Sequence, residues 1–184
     1  MQRIPALVPE ETTTKSKDMF DAIQKKLGMV PNMMRTMGNS PAVLNAYLSF
    51  SGAMGEASVG GKLGEQIALA VSNANSCDYC NAAHSYIGEK MVGMDMDSIL
   101  NAKAGKSNDK KAGAALVFAR KLVEKKGNVS DSDVTALRNA GFTDQGIAEI
   151  IGHTALTIFT NYFNNGLQVV VDFPKVDLVK EAAI

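Results

Sequence analysis

Cysteine is scarce in this sequence, with only Cys77 and Cys80 among 184 residues. Two cysteines cannot supply the disulfide framework of a small secreted domain. A bridge between positions so close in sequence closes almost no loop, so it would add little to the stability of the fold. In a reducing compartment such a close pair indicates a redox-active or metal-binding site rather than a structural crosslink.

An excess of charge of either sign is also missing, because 19 basic residues balance 19 acidic ones. The resulting pI near 6.7 argues against a nucleic-acid partner and against a polybasic membrane patch. No apolar run approaches the ~18 residues of a transmembrane helix. The first residues, MQRIPALVPEETTT, contain no apolar h-region, so we expect no secretory signal and a cytoplasmic protein.

Strand signals are nearly absent, and the best of them is the short segment 168–171, just before Phe173 and Pro174. Helical periodicity and helix-ending glycines cover the rest, so the sequence predicts an all-α fold. The predicted helices lie near 13–27, 31–38, 41–55, 62–75, 77–92, 96–104, 108–126, 131–140 and 144–165, followed by an irregular tail. The expected N-caps are Ser40, Ser76, Ser130 and Thr143, and the expected stops are Gly28, Gly93, Gly105, Gly127 and Gly141.

The length suits one domain, and we expect a single all-helical bundle over 1–184. In this interpretation 1–40 form an N-terminal arm, 41–126 form the core with both cysteines, and 127–184 hold the C-terminal helices and tail. The ten methionines are interpreted mainly as gap-filling core residues, while a minority could line an adaptable apolar pocket.

The informative cluster consists of Glu65, Cys77, Cys80 and His84. Cys77 and Cys80 are related as i,i+3, and Cys80 and His84 as i,i+4, so one face of one helix carries all three. Cys77 is expected in the first turn, where free N–H groups and the helix dipole favour a thiolate. Cys80 lies one turn deeper, beside the proton acceptor His84.

A helix hairpin is expected to bring Glu65 to this face. Glu65 lies roughly 10 residues, or about 15 Å, before the turn, and His84 lies about 10 Å beyond it. Antiparallel helices place such positions within about one turn of each other. A Glu65–His84 relay could therefore accept the proton of a cysteine thiol, the carboxylate orienting the imidazole and stabilising its charged form.

These residue types suit the reduction of a hydroperoxide. A thiolate attacks the peroxide and becomes a sulfenic acid, the second cysteine condenses with it to a disulfide, and an external dithiol reduces the pair. The residues alone leave the attacking sulfur open, because the dipole favours Cys77 and the neighbouring His84 favours Cys80.

The pattern E-x11-C-x2-C-x3-H in a helical chain resembles the alkylhydroperoxidase D-like family of the carboxymuconolactone decarboxylase superfamily, in its peroxidase-related branch. The resemblance is best from about 40 to 126. It implies an all-α fold, homo-oligomers (trimers or hexamers) and a thiol-dependent peroxidase without a bound cofactor, reduced by an external dithiol or thioredoxin-like protein. It also implies that Cys80 is the peroxidatic cysteine and that Cys77 is the proton donor and resolving partner.

One position departs from the best-known peroxidases of that family, which carry histidine between the cysteines where this chain has Tyr79. A phenol with a pKa near ~10 is no base at neutral pH, but it can hydrogen-bond a thiolate or water, so Tyr79 is kept as a candidate catalytic residue. The alternative is an aromatic side chain that packs at the helix start.

Other functions remain open at this stage. A decarboxylase or hydrolase of a small cyclic acid on the same scaffold predicts activity that does not need the cysteines. A non-enzymatic redox sensor or disulfide-exchange protein predicts reversible oxidation without turnover. A zinc site made of Glu65, Cys77, Cys80 and His84 has suitable ligand types. His153, the second histidine, is interpreted as a structural residue with its hydrogen bonds satisfied.

Overall fold

The computed structural model describes residues 1–179, and over these residues the chain forms helices and no strand. The predicted all-α fold is therefore confirmed. After a 3-10 turn at Pro9–Glu11, the helices of this part of the chain are α1 (Ser16–Leu27), α2 (Asn32–Met37), α3 (Pro41–Met54), α4 (Gly60–Ala74), α5 (Asp78–Lys90), α6 (Met96–Lys103), α7 (Lys110–Glu124), α8 (Asp131–Asn139) and α9 (Asp144–Leu167).

Capping side chains and left-handed glycines set the ends of these helices largely as predicted. Ser40, Ser130 and Thr143 each accept a hydrogen bond from a backbone N–H of the first turn, and Ser130 completes a capping box with Asp133. The predicted stops have φ between 72° and 87°, which a residue without Cβ adopts at little cost; they are Gly28, Gly93, Gly105, Gly127 and Gly141.

Most boundaries lie within two residues of the prediction, and two of the differences have a clear physical reason. α1 begins at Ser16 rather than near 13, because the β-branched threonines at 12–14 remain outside the helix. The prediction that Ser76 caps the cysteine helix is wrong, since Cys77 is the N-cap of α5. Ser76 instead takes a left-handed conformation with φ of 49°, and this residue reverses the chain between α4 and α5.

Helix α4 lies at the centre of the fold, where it contacts α5, α6, α7 and α9. Four of its apolar residues are fully buried and pack with side chains of α6, α7 and α9 in one of two hydrophobic clusters; they are Ile67, Leu69, Ala70 and Val71. Because burial of each large apolar side chain contributes about 1.5–3 kcal/mol, this central helix is held rigidly from several sides. The rigidity extends to the hairpin that α4 forms with α5.

The second hydrophobic cluster surrounds the cysteines and draws on the N-terminal helices. Phe20, Met37 and Leu44 are at most 1% exposed, and they belong to the same cluster as Cys77 and Cys80. The first 40 residues thus form one wall around the cysteine pair. Three methionines are buried in the core, as predicted for methionine; they are Met33, Met37 and Met94. Four others are exposed, namely Met1, Met29, Met91 and Met96.

The tail that follows α9 is irregular, as predicted. Gln168 ends α9 in a left-handed conformation with φ of 52°, so 168–171 does not continue as a strand. Further on, Val179 and Asn73 exchange two hydrogen bonds of 3.0 Å, which tie the tail to α4. Between residues 1 and 179, none of the helices combines the length and the apolar character needed to cross a membrane.

Replacement of Phe20 by alanine tests the N-terminal wall. Phe20 is fully buried, so Phe20→Ala is expected to lower the free energy of unfolding by about 3–5 kcal/mol, as large-to-small core changes do. Urea denaturation measures this loss. The exposed Val117 is the control, and Val117→Ala should stay within about 0.5 kcal/mol of the wild type. Equal effects of the two changes would contradict the described packing of α1.

Candidate active site

The hairpin of α4 and α5 brings Glu65 and His84 into direct contact. The turn is short because Cys77 N–H donates to Ser72 O at 2.9 Å and Ser76 N–H donates to Asn73 O at 3.0 Å. Across the hairpin, His84 Nδ1 lies 2.8 Å from Glu65 Oε2. The carboxylate therefore fixes the orientation of the imidazole and leaves Nε2 as its second functional atom.

The Glu65 carboxylate determines the charge state of His84. Burial by itself lowers the pKa of His84, but the negative charge and the hydrogen bond of Glu65 outweigh it and raise the pKa above its ordinary value. A protonated His84 is stabilised beside the carboxylate, so the pair can hold a proton taken from a neighbouring group.

Replacement of Glu65 by glutamine removes this charge. Glu65→Gln is expected to lower the pKa of His84, because the opposing effect of burial remains. The NMR titration of the His84 ring measures the shift. Glu89→Gln is the matched control, since Glu89 pairs with Lys90 and not with His84. An unchanged His84 titration in Glu65→Gln would contradict the electrostatic coupling.

The same pair makes stability depend on pH. The pKa of His84 is raised in the folded protein, so its stabilising contribution is fully present below the unfolded-state pKa of about 6.5. The contribution is lost as the pH rises through the folded-state pKa. Urea denaturation across this range should show stability falling with pH in the wild type and a flatter dependence in Glu65→Gln. The same slope in both proteins would refute this linkage.

The two cysteines lie at the start of α5 and are joined by a disulfide bond. Cys77 was expected in the first helical turn, but it is the N-cap, one position earlier, and its Sγ accepts a hydrogen bond of 3.3 Å from Cys80 N–H. Cys77 is fully buried and Cys80 is 2% exposed. The sulfur of Cys77 thus lies at the positive end of the helix dipole, which favours its thiolate form after reduction.

Asn164, on α9, contacts the sulfur of Cys80. Its Nδ2 lies 3.2 Å from Cys80 Sγ and 3.2 Å from Met33 Sδ, while its Oδ1 is buried without a hydrogen-bond partner in the part of the chain that the structure describes. An amide N–H that points at sulfur stabilises a thiolate. Sequence reasoning assigned no role to Asn164, because nothing in the spacing indicates a contact between residues 84 positions apart.

Two other asparagines of α9 hold the turn that precedes Cys77. Asn161 contacts Ser72 Oγ at 3.1 Å and accepts a hydrogen bond from Asn75 Nδ2 at 2.9 Å. Asn165 donates to the backbone oxygen of Asn75 at 2.9 Å. In the structure they brace the hairpin that places Glu65 and His84.

Asn164 is expected to stabilise the Cys80 thiolate. In a Cys77→Ala background, where Cys80 is the single thiol, Asn164→Ala should raise the thiol pKa by about 1–2 units, because a hydrogen bond to a charged group contributes about 1.5–3 kcal/mol. The pH dependence of iodoacetamide alkylation measures this pKa. The exposed Tyr162 on the same helix provides the control, and Tyr162→Ala should leave the pKa unchanged. A pKa unaffected by Asn164→Ala would remove the assigned role.

Tyr79 is oriented toward the N-terminal segment. Its hydroxyl oxygen accepts a hydrogen bond of 3.1 Å from Met33 N–H, and its ring packs edge-on against Phe173, with 5.8 Å between centroids. Burial raises the pKa of Tyr79, the Met33 hydrogen bond opposes this, and the charge of Asp172 adds to it. The phenol stays protonated at neutral pH and fastens α2 to α5. Its participation in catalysis stays a prediction.

A cavity of about 420 Å³ opens onto Cys80 and excludes Cys77 from its lining. Its wall is mainly apolar, and its polar lining residues include Tyr79, His84, Thr160 and Asn164. Methionines contribute much of the apolar surface, as suggested above for a minority of them; they are Met29, Met33, Met34 and Met91.

His153 does not fit the prediction of a structural histidine with satisfied hydrogen bonds. Its Nε2 is buried and has no hydrogen-bond partner in residues 1–179. The ring lies against Gly64, where an added Cβ would approach Cε1 to 2.8 Å. Because the facing residue is glycine, no side chain at that position can offer a partner. His153 lines a second cavity of about 190 Å³ together with Glu65 and His84.

The zinc alternative finds no support in the arrangement of ligands. Among residues 1–179 no group of three or more His, Cys, Asp or Glu side chains is placed to hold a metal ion. In addition, Nδ1 of His84 is already bonded to Glu65. A larger concavity of about 680 Å³, lined by Lys62, Gln66 and Phe142 among others, contains neither a cysteine nor a histidine.

Comparison with known proteins relates this fold to peroxidase-related proteins. No family model and no curated protein matches the sequence. Among solved structures, an uncharacterized peroxidase-related protein from Silicibacter sp. TM1040 is 25% identical, with a TM-score of 0.81 over 92% of this chain and 91% of that chain. An uncharacterized peroxidase-related protein from Ralstonia eutropha JMP134, described as an alkylhydroperoxidase AhpD core, is 25% identical, with a TM-score of 0.82 over 93% and 92%.

A third structure, the debrominase Bmp8, shares the fold at 20% identity, with a TM-score of 0.78 over 92% of this chain and 91% of that chain. The chain thus shares its fold with proteins described as peroxidase-related, one of them as an alkylhydroperoxidase AhpD core. This similarity supports an enzymatic, peroxidase-related role in broad terms, while the debrominase shows that the same fold carries other activities.

Proposed function

We propose that the protein is a thiol-dependent peroxidase that reduces alkyl hydroperoxides or hydrogen peroxide through Cys80 and Cys77. The observation that carries the proposal is a cavity that reaches Cys80 but not Cys77 and whose wall includes the imidazole bonded to Glu65. This asymmetry supports Cys80 as the sulfur that meets the peroxide.

In the first step the Cys80 thiol transfers its proton to the His84–Glu65 pair. The thiolate attacks the terminal oxygen of the hydroperoxide, the sulfur–oxygen bond forms as the oxygen–oxygen bond breaks, and the alkoxide takes up the stored proton. The products are a sulfenic acid on Cys80 and an alcohol, or water from hydrogen peroxide. The amide of Asn164, 3.2 Å from Sγ, stabilises the negative sulfur before attack.

In the second step the Cys77 thiolate attacks the sulfenic sulfur. The Cys77–Cys80 disulfide forms, and the departing hydroxide combines with the thiol proton to give water. An external dithiol or thioredoxin-like protein then supplies two electrons and two protons and restores both thiols. We place this cycle in the cytoplasm and in a homo-oligomer, and it requires no cofactor in the protein.

The wall of the cavity supports an organic hydroperoxide as the substrate. Ala83, Ile87 and the methionines present apolar surface, and a volume of about 420 Å³ accommodates an alkyl or aryl group. Burial of such a group contributes roughly 25 cal/mol per Å² of apolar area. Hydrogen peroxide gains nothing from this surface.

Single-cysteine variants test the assignment of the two sulfurs. With one equivalent of cumene hydroperoxide, reduced Cys77→Ser should form a sulfenic acid on Cys80 that dimedone traps, because the resolving thiol is missing. Cys80→Ser should give no adduct and no turnover. Mass spectrometry detects the adduct, and both variants can be compared at the same thiol concentration. Full turnover in Cys80→Ser would refute the proposal.

The rival functions give other results in the same assay. A redox sensor or disulfide-exchange protein would lose two thiols per chain in wild type but would show no continuous turnover with dithiothreitol. A decarboxylase or hydrolase of a small cyclic acid would act on its substrate equally well in Cys80→Ser and in the wild type.

A further inference from the structure

A second cavity lies on the other side of the Glu65–His84 pair from the substrate cavity. It measures about 190 Å³, and its lining includes Glu65, His84, His153 and the hydroxyl-bearing Ser51 and Thr157. Exposed glycines at 55 and 61 border it, so it reaches the surface between α3 and α4. The volume accommodates several water molecules, since one takes roughly 30 Å³ in the liquid.

The Glu65–His84 pair stands between the two cavities. His84, Tyr47 and Thr160 line both of them, whereas Cys80 lines the larger one alone and Glu65 and His153 the smaller one alone. The larger cavity would be filled by substrate. Because Glu65 lines only the smaller cavity, water reaches the carboxylate from this side.

His153 is placed to exchange protons in the smaller cavity. Its Nε2 is buried and lacks a partner within residues 1–179, and Gly64 on α4 fixes the position of its ring. A buried ring nitrogen without a protein partner is costly, and a water molecule from the adjoining cavity is the partner that remains available to it.

The groups that face His153 keep it neutral at neutral pH. Burial lowers the pKa of His153, and the charges of Glu65 on α4 and Glu149 on α9 oppose this without reversing it. From α5 the His84 ring lines the same cavity, and from α3 so does Tyr47, whose pKa burial raises to about 12. A neutral imidazole can accept a proton on one nitrogen and release it from the other.

We propose that the smaller cavity is a water-filled proton passage in which His153 exchanges protons between solvent and Glu65. The inference deepens the proposed function, on which the purpose of the passage rests. His153 touches neither the sulfur atoms nor the substrate cavity. It affects the reaction only through Glu65 and His84, and it is therefore a positioning residue rather than a catalytic one.

The passage has a defined task when the disulfide is reduced. The external dithiol attacks one sulfur, the Cys77–Cys80 bond breaks, and a second attack within the mixed disulfide releases the oxidised dithiol. The two electrons come from the dithiol, whose two thiol protons pass to solvent. Two protons must reach Cys77 and Cys80, which are buried. Through His153, water, Glu65 and His84, one of them reaches Cys80 without crossing the apolar cavity.

Chemical rescue distinguishes a proton carrier from a structural residue. His153→Ala should slow reduction of the disulfide by dithiothreitol about 10-fold or more, as loss of proton transfer typically does, and added imidazole should restore most of the rate with saturation. The appearance of free thiols measures this rate. Leu156→Ala is the control, because it enlarges the same cavity without removing a titrating group, and imidazole should not accelerate it.

His153→Gln is a second test variant, because glutamine preserves bulk and hydrogen bonding but cannot take up and release a proton as imidazole does. It should be as slow as His153→Ala, and in the peroxidase assay both should lower kcat with little change in KM. Wild-type rates in either variant, or a slow His153→Ala that imidazole does not restore, would overturn the proposal. The dithiothreitol assay needs no peroxide, so absence of peroxide turnover in the wild type would refute the proposed function and leave the test of His153 intact.

Discussion

The hydrogen bond between Glu65 and His84 depends on the geometry of the α4–α5 hairpin, and the arrangement of the site depends on that bond. The two side chains meet at 2.8 Å because a single left-handed residue, Ser76, reverses the chain and two asparagines of α9 brace the turn. A slip of one residue in either helix would rotate a side chain by about 100° around its axis. The buried core of α4 prevents such a slip.

The hairpin could be predicted because it depends on the spacing of residues that are close together in the sequence. Helical spacing places Cys77, Cys80 and His84 on one face, and counting residues from the turn brings Glu65 opposite them. The caps and stops are local as well, with one exception. Sequence reasoning gave the cap of α5 to Ser76, whereas Cys77 holds it. The reason is that cysteine is not among the usual capping residues, so its sulfur was considered only for its chemistry.

The contributions of α9 could not be predicted from sequence. Asn164 reaches Cys80 across 84 positions, and His153 reaches the cavity behind Glu65 because Gly64 allows α9 to approach α4 closely. Neither contact follows from periodicity, since both depend on how α9 crosses the hairpin. The same crossing creates two cavities that share the His84 ring in their walls, one reaching Cys80 and the other reaching Glu65.

The position of Cys77 at the N-cap links the oxidation state of the protein to the end of a helix. A capping atom must accept hydrogen bonds, and here the acceptor is a sulfur that receives the Cys80 N–H at 3.3 Å. In the disulfide this sulfur is a weak acceptor, whereas a thiolate is a strong one. Reduction of the disulfide therefore strengthens the hydrogen bond that caps α5, and oxidation weakens it. The strength of the cap at the start of α5 thus varies with the oxidation state of the cysteine pair.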